Sequence, residues 1–222
     1  FQFTDGWKFH RGDLNETNYR AIHANRFKRA EWMKAGNHGI SRVGYPDQAW
    51  HEVHLPHDFV VAGEYTPTAN AVHGSLPTDV GWYRKTFELP AEIRHQRIRL
   101  EFDGIYRDAT IWVNGHLAGS HLSGYTSFSL DVTELCDPNE CNAIAVRCDA
   151  QEFELWSYEG GGIYRDVRLV ATDDLHVPYS GTCIRSTFPD EADLSKVQIE
   201  LQAQIHNAGR EDRATEVTFK IF

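Results

Sequence analysis

The stretch Trp156 to Val170 reads W-S-Y-E-G-G-G-I-Y-R-D-V-R-L-V and carries the residues best suited to hold a ligand. Three consecutive glycines, Gly160 to Gly162, run into a segment patterned like a buried strand, which opens on Arg165 and Asp166. Glycine admits positive φ angles and lets other groups approach the backbone closely. An ionised aspartate accepts hydrogen bonds and is suited to neighbouring hydroxyls. A permissive loop beside a charge pair therefore reads as a place where something is held. Asp166 also has a structural reading, as the partner of Arg165 or of an arginine on a neighbouring strand such as Arg107. Trp156, next to the glycines, is a candidate stacking surface. Trp82 and Trp112 read as core.

Other chemistry-bearing groups are weaker. His57 and Asp58 resemble an acid–base pair, but with no nucleophile beside them they read as a loop clamp. His51, His54 and His57 recur every third residue, yet Pro56 and the Val53/Leu55 alternation make the segment extended. An extended chain puts His54 on the face opposite His51 and His57, which argues against a three-histidine metal site. Cys136 and Cys141 bracket the turn-forming Asp137-Pro138-Asn139, compatible with a small disulfide. Cys148 sits in a strand pattern and Cys183 stands alone. None has the spacing of a metal site, and free thiols are the favoured reading.

These side chains must be positioned by strands. Arg97 to Phe102 alternates charged and apolar residues without a break, the pattern of a half-buried strand. Ala109 to Val113 is a second strand, and Asn114-Gly115 is a two-residue hairpin turn. Trp82 to Phe87, Ser127 to Thr133, Asn142 to Cys148 and the run from Val167 extend the series over residues 80–172. Such spacing predicts an antiparallel sandwich of the jelly-roll kind. Helical periodicity is confined to residues 20–35. A boundary falls near Thr172-Asp173-Asp174. Beyond it, Val197, Ile199, Leu201, Ala203 and Ile205 alternate, His206 to Gly209 makes a turn, and Val217, Phe219 and Ile221 begin another strand. That pattern predicts the first strands of an immunoglobulin-like sandwich, which takes about seven. The expected division is therefore 1–174 and 175–222, an all-β chain whose second sandwich is incomplete.

Composition bounds the function. The chain has 222 residues, 41% hydrophobic and 24% charged, the balance of a globular protein. A formal net charge of −10 argues against nucleic acid as a partner. No apolar run is long enough to span a bilayer. The chain starts Phe1-Gln2-Phe3 with no signal peptide in its numbering, and a periplasmic or secreted location is compatible with it.

Several landmarks follow one another in order: Asp5-Gly6-Trp7, Asp47 to Trp50, Leu55-Pro56-His57-Asp58-Phe59, Gly81 to Phe87, Phe102-Asp103-Gly104, Trp112 to Gly115, Gly124 to Phe128, Asn142 to Val146 and Gly160 to Val167. This series resembles the N-terminal sugar-binding domain of glycoside hydrolase family 2, the β-galactosidases, β-glucuronidases and β-mannosidases. Residues 20–45 depart from it as an unusually long insertion. The resemblance implies a retaining glycosidase with an acid/base and a nucleophilic glutamate about 5–5.5 Å apart. Both are carried by a TIM barrel that this chain lacks. It therefore assigns no catalytic residue and no metal ligand here. It does place Asp166 against the sugar's hydroxyls, in some members with a sodium ion beside it, and leaves Trp156 as a sugar contact. The implied partner is a carbohydrate, a terminal β-galactoside, with assembly into a homo-oligomer compatible. The competing readings are a free-standing carbohydrate-binding module and the same domain of a β-glucuronidase or β-mannosidase.

Overall fold

The computed structural model describes residues 1–14, 39–71, 74–152, 159–189 and 195–220. The helical pattern at 20–35, Trp156 and the strand position of Ile221 lie outside them. The chain forms two units, Phe1–Ala171 and Thr172–Phe222.

In the first unit, β1 (Trp7–Arg11), β2 (His51–Val53), β3 (Val80–Phe87), β5 (Ala109–Val113), β6 (His116–His121) and β8 (Asn142–Asp149) form one sheet in the order β2-β1-β3-β8-β5-β6. β4 (Arg97–Phe102), β7 (Phe128–Asp131) and β9 (Val167–Thr172) form a second, ordered β7-β4-β9. The two sheets make an all-β sandwich of the jelly-roll kind. β4 and β5 fall where the alternation predicts them. Asn114 and Gly115, with φ of 49° and 89°, turn β5 into β6, the positive-φ pair that suits the twist of a tight hairpin.

The main core lies between the sheets. Tyr83, Ile111, Val113, Ile144, Val146 and Cys148 pack from the larger sheet, and Ile98, Leu100, Phe102, Phe128, Val167 and Leu169 from the smaller. Phe102 and Phe128 stack with ring centres 4.9 Å apart. Each such side chain, taken from water, contributes about 1.5–3 kcal/mol. The larger sheet has a second core on its other face, made by Ile40, Trp50, Val80, Trp82, Trp112 and Ala145. Trp82 and Trp112 stack there at 5.6 Å, core residues as their sequence context predicts. Central β8 is thus covered on both sides.

Loop 39–47, which roofs that second core, is fastened by one buried arginine. Arg84 donates from Nε to the Ile40 carbonyl at 2.9 Å and from one terminal nitrogen to the carbonyls of Arg42 and Val43 at 2.6 and 3.0 Å. Its other terminal nitrogen pairs with Asp47, which also takes Lys8 at 2.8 Å.

The second unit pairs β10 (Leu175–His176) with β13 (His206–Asn207) and β11 (Thr182–Thr187) with β12 (Gln198–Ala203), both antiparallel. Three sequence expectations change here. His206 and Asn207 are strand rather than turn, and the turn follows them, with Gly209 N bonded to Asn207 Oδ1 at 3.0 Å. No strand forms over 212–220. Val197, Ile199 and Ile205, expected on a covered face, are exposed.

Candidate functional site

The glycine segment is a close-packed seam. His57 N donates to the Ile163 carbonyl at 2.8 Å and Phe59 N to Gly161 at 2.9 Å, while Tyr106 and Gly162 exchange both backbone hydrogen bonds at 2.7 and 2.9 Å. Asp58 Oδ1 accepts from the backbone N–H of Val60, Val61 and Gly161 at 3.0, 2.9 and 3.0 Å. A side-chain carboxylate that takes the amides two and three residues on closes a local turn. Here it also ties that turn to a segment a hundred residues away. The clamp reading of Asp58 is what the structure shows.

The three glycines serve this seam differently. A Cβ on Gly160 would overlap the Asp58 carboxylate, and one on Gly161 would come within 2.6 Å of a Val60 methyl. Gly162, at φ +120°, uses the conformational freedom of glycine as well, and a Cβ there would lie 2.7 Å from the His57 carbonyl and overlap the Tyr83 hydroxyl. The run is glycine chiefly because nothing larger fits between the strands, rather than to form an open loop.

Behind the seam, half-buried His57 shares a 2.8 Å hydrogen bond between Nδ1 and the Tyr83 hydroxyl. Burial lowers the imidazole pKa despite the nearby Asp58 charge, and burial pushes the Tyr83 phenol well up. Both are held neutral. His51 is exposed on β2 and His54 meets Asp5 at 2.9 Å in solvent, so the three histidines do not converge. No cluster of three metal-ligating side chains occurs among the described residues, and Cys136, Cys141, Cys148 and Cys183 are free.

Asp166 stands at the entry to β9, half-buried, with its backbone carbonyl accepting from Asp103 N at 3.0 Å. Arg165 and Asp166 do not form the expected ion pair. Arg165 is exposed, with its guanidinium 5.1 Å from the centre of the Tyr164 ring and a terminal nitrogen 3.5 Å from the Asp103 carbonyl. The chain bends at Arg165, before β9 begins at Val167. The fixed pair is made by Arg168, two residues after Asp166. Arg168 makes two hydrogen bonds to Asp103, at 2.8 and 2.5 Å, and these hold the Asp103 carboxyl below its usual range. The Asp166 charge in turn favours the cationic Arg168. Arg107 turns instead to the Glu152 carbonyl at 3.3 Å.

Beside the seam lies a cleft of about 220 Å³ lined by Asp58, Tyr106, Tyr125, Glu159, Gly160 and Tyr164. Asp166 is not among its walls. Glu159 is 3% and Tyr106 4% exposed, and Tyr125 is half in solvent. Sequence reasoning missed Tyr106, Tyr125 and Glu159, although Tyr125 and Glu159 flank glycines it had singled out.

Residues 30–173 match the family model for the glycosyl hydrolases family 2 sugar binding domain. Among curated relatives, the chain is 36% identical over 168 residues to the β-galactosidase BoGH2A of Bacteroides ovatus, covering 73% of this chain and 20% of that protein. It is 31% identical over 141 residues to a putative β-glucuronidase of Formosa agariphila, covering 62% of this chain and 13% of the relative. Among solved structures, a β-glycosidase from Bacteroides vulgatus superposes with a TM-score of 0.77 at 30% identity, covering 95% of this chain and 24% of that one. The chain thus spans about a fifth or less of the length of these curated relatives.

Proposed function

The chain belongs to glycoside hydrolase family 2, and on that premise we propose that it is the non-catalytic N-terminal portion of a retaining exoglycosidase, a β-galactosidase. In this reading the catalytic glutamates come from a barrel outside residues 1–222, and the sandwich supports that barrel and lends the β9 entry to the sugar pocket. The observation that carries it is the 168-residue likeness to a β-galactosidase of which the chain covers only 20%. Asp166 is the contact in this reading. Its half-buried position and the hydrogen bond from Asp103 N to its backbone carbonyl support a carboxylate at the edge of the seam that can accept from sugar hydroxyls. Trp156 remains a proposed second contact.

In some family members a sodium ion lies beside this aspartate; here Asp166 would offer it a carboxylate, in the field of the Arg168 charge, and no step is routed through sodium.

The test is Asp166→Ala in the full-length enzyme, assayed on 4-nitrophenyl β-galactoside. Loss of a hydrogen bond to a charged group costs about 1.5–3 kcal/mol, a fall in kcat/KM of roughly ten- to a hundredfold. Wild-type kinetics in the folded variant refute the assignment. The likeness to a putative β-glucuronidase supports a second reading, in which the terminal sugar is a glucuronide. Parallel assay of 4-nitrophenyl β-glucuronide decides between them.

A further inference from the structure

Asn114-Gly115 is the only Asn-Gly step in the chain. Asparagine is among the thermolabile residues, and a following glycine leaves its own nitrogen unshielded by any Cβ. In an open chain the Gly115 nitrogen attacks the side-chain carbonyl carbon of Asn114 and closes a succinimide ring. A C–N bond forms, the Cγ–Nδ2 bond of Asn114 breaks, and Nδ2 departs as ammonia with the Gly115 amide proton. Water then opens the ring at either carbonyl and leaves aspartate or isoaspartate. The net change consumes one water, releases one ammonia and needs no other reagent.

The fold holds the groups that this reaction must free. Residues 114 and 115 form the tip between β5 and β6. The Gly115 N–H, the nucleophile, donates to the Ser41 hydroxyl at 3.0 Å in a buried position. The leaving Nδ2 donates to the Leu135 carbonyl at 2.9 Å and to Asn142 Oδ1 at 2.6 Å. Asn114 Oδ1 accepts from Ala143 N at 2.8 Å, and Asn114 N donates to the Ala143 carbonyl at 2.9 Å. Asn142 is itself fully buried. Its Oδ1 also takes Asp137 N at 2.7 Å, and its Nδ2 gives to the carbonyls of Asp137 and Glu140 at 2.9 and 3.1 Å. Loss of the Gly115 proton and of Nδ2 therefore forfeits three hydrogen bonds at once.

The products fit the same place badly. An ionised aspartate only accepts, and at 114 it would meet the Leu135 carbonyl and Asn142 Oδ1, both acceptors. Isoaspartate adds a carbon to the main chain, in a tip whose shape depends on positive φ at both residues.

We propose that Asn114 is a latent deamidation site. It is shut while the tip is seated on Ser41 and Asn142 and reactive once the tip parts from them, so that a chain aged in the open state refolds to a less stable unit. Chemical change in the unfolded chain is one route by which unfolding stops being reversible. The proposal is independent of the exoglycosidase reading.

The test follows Asn114 by peptide mass spectrometry in the full-length protein, held at mildly alkaline pH either folded in buffer or unfolded in guanidinium chloride. Conversion to aspartate and isoaspartate should be roughly a hundredfold or more faster in the unfolded sample, because reaction of an open form tracks its population. Equal rates, or no conversion in the unfolded chain, overturn the proposal. Ser41→Ala frees the nucleophile and keeps the rest of the clamp. The folded variant should convert about two- to tenfold faster than folded wild type, the worth of one hydrogen bond; an unchanged rate overturns the guard assigned to Ser41. Asn114→Asp, made directly, should unfold at a lower guanidinium concentration than wild type, and an equal midpoint overturns the misfit of the product.

Discussion

Gly162→Ala should be among the most damaging single-methyl changes in the first unit, and its cost has two separable parts. The backbone at φ +120° is one that L side chains rarely adopt, and holding a residue there costs about 1–3 kcal/mol. The new Cβ would also lie 2.7 Å from the His57 carbonyl and overlap the Tyr83 hydroxyl. Overpacking of that kind adds about 1–3 kcal/mol. The backbone carbonyl cannot swing aside, because the adjoining His57 and Phe59 amides are bonded to Ile163 and Gly161. The sum, about 2–6 kcal/mol, is a large part of the ~5–15 kcal/mol that holds a typical domain together. Gly12→Ala supplies the control, since Gly12 has φ +96° with nothing within 4 Å of a Cβ. It should show the conformational part alone. Urea unfolding followed by tryptophan fluorescence suits the comparison, because all six tryptophans precede residue 172 and report on the first unit only. With a urea slope of about 3 kcal/mol per molar, a loss of ~4 kcal/mol moves the midpoint by roughly 1.3 M. Equal losses in the two variants, or a midpoint for Gly162→Ala indistinguishable from wild type, would refute the close-packing account of the seam.

Two further outcomes follow from the same contacts. Arg84→Met should leave buried Asp47 with Lys8 alone and free the carbonyls of Ile40, Arg42 and Val43; breaking a buried pair costs up to about 3–5 kcal/mol when no partner remains, so a smaller loss is expected here, and limited proteolysis should then cut within 39–47, which the wild type should resist. His57 has a folded-state pKa below its unfolded value near 6.5, so the unfolded chain binds the extra proton first. The stability it protects is complete above about pH 6.5 and declines as pH falls through the folded pKa. Thermal melts should show that slope in the wild type and a flatter one in His57→Gln. A wild-type melting temperature constant between pH 7 and pH 5 would contradict the buried, neutral imidazole.

The sandwich was legible where strands alternate. Arg97–Phe102 has a clean period of two, and β4 occupies those residues. Alternation failed in the second unit, where Val197, Ile199 and Ile205 are apolar yet exposed; a pattern marks which side of a strand is apolar, not what covers it. At the site, sequence located the glycines but not their purpose. Glycine offers freedom in φ and the absence of a Cβ, and only Gly162 uses the first. The Arg165–Asp166 expectation failed because the chain bends at Arg165, whose guanidinium goes to the Tyr164 ring and the Asp103 carbonyl instead. The Arg168–Asp103 pair joins positions 65 residues apart, and no local pattern announces it. Tyr106 was hidden for the same reason. Gly124, Gly162 and Glu159 meet it only in the folded chain.

The roof over the larger sheet limits how this domain can evolve. With Trp50, Trp82 and Trp112 sealed beneath a loop that Arg84 fastens, the broad sheet face is unavailable as a platform for a glycan. On the proposed reading, sugar contact falls to the sandwich rim, where chain segments meet between strands and side chains such as Tyr125 stand half in solvent. Changes confined to the exposed side chains of that edge would leave every strand in place.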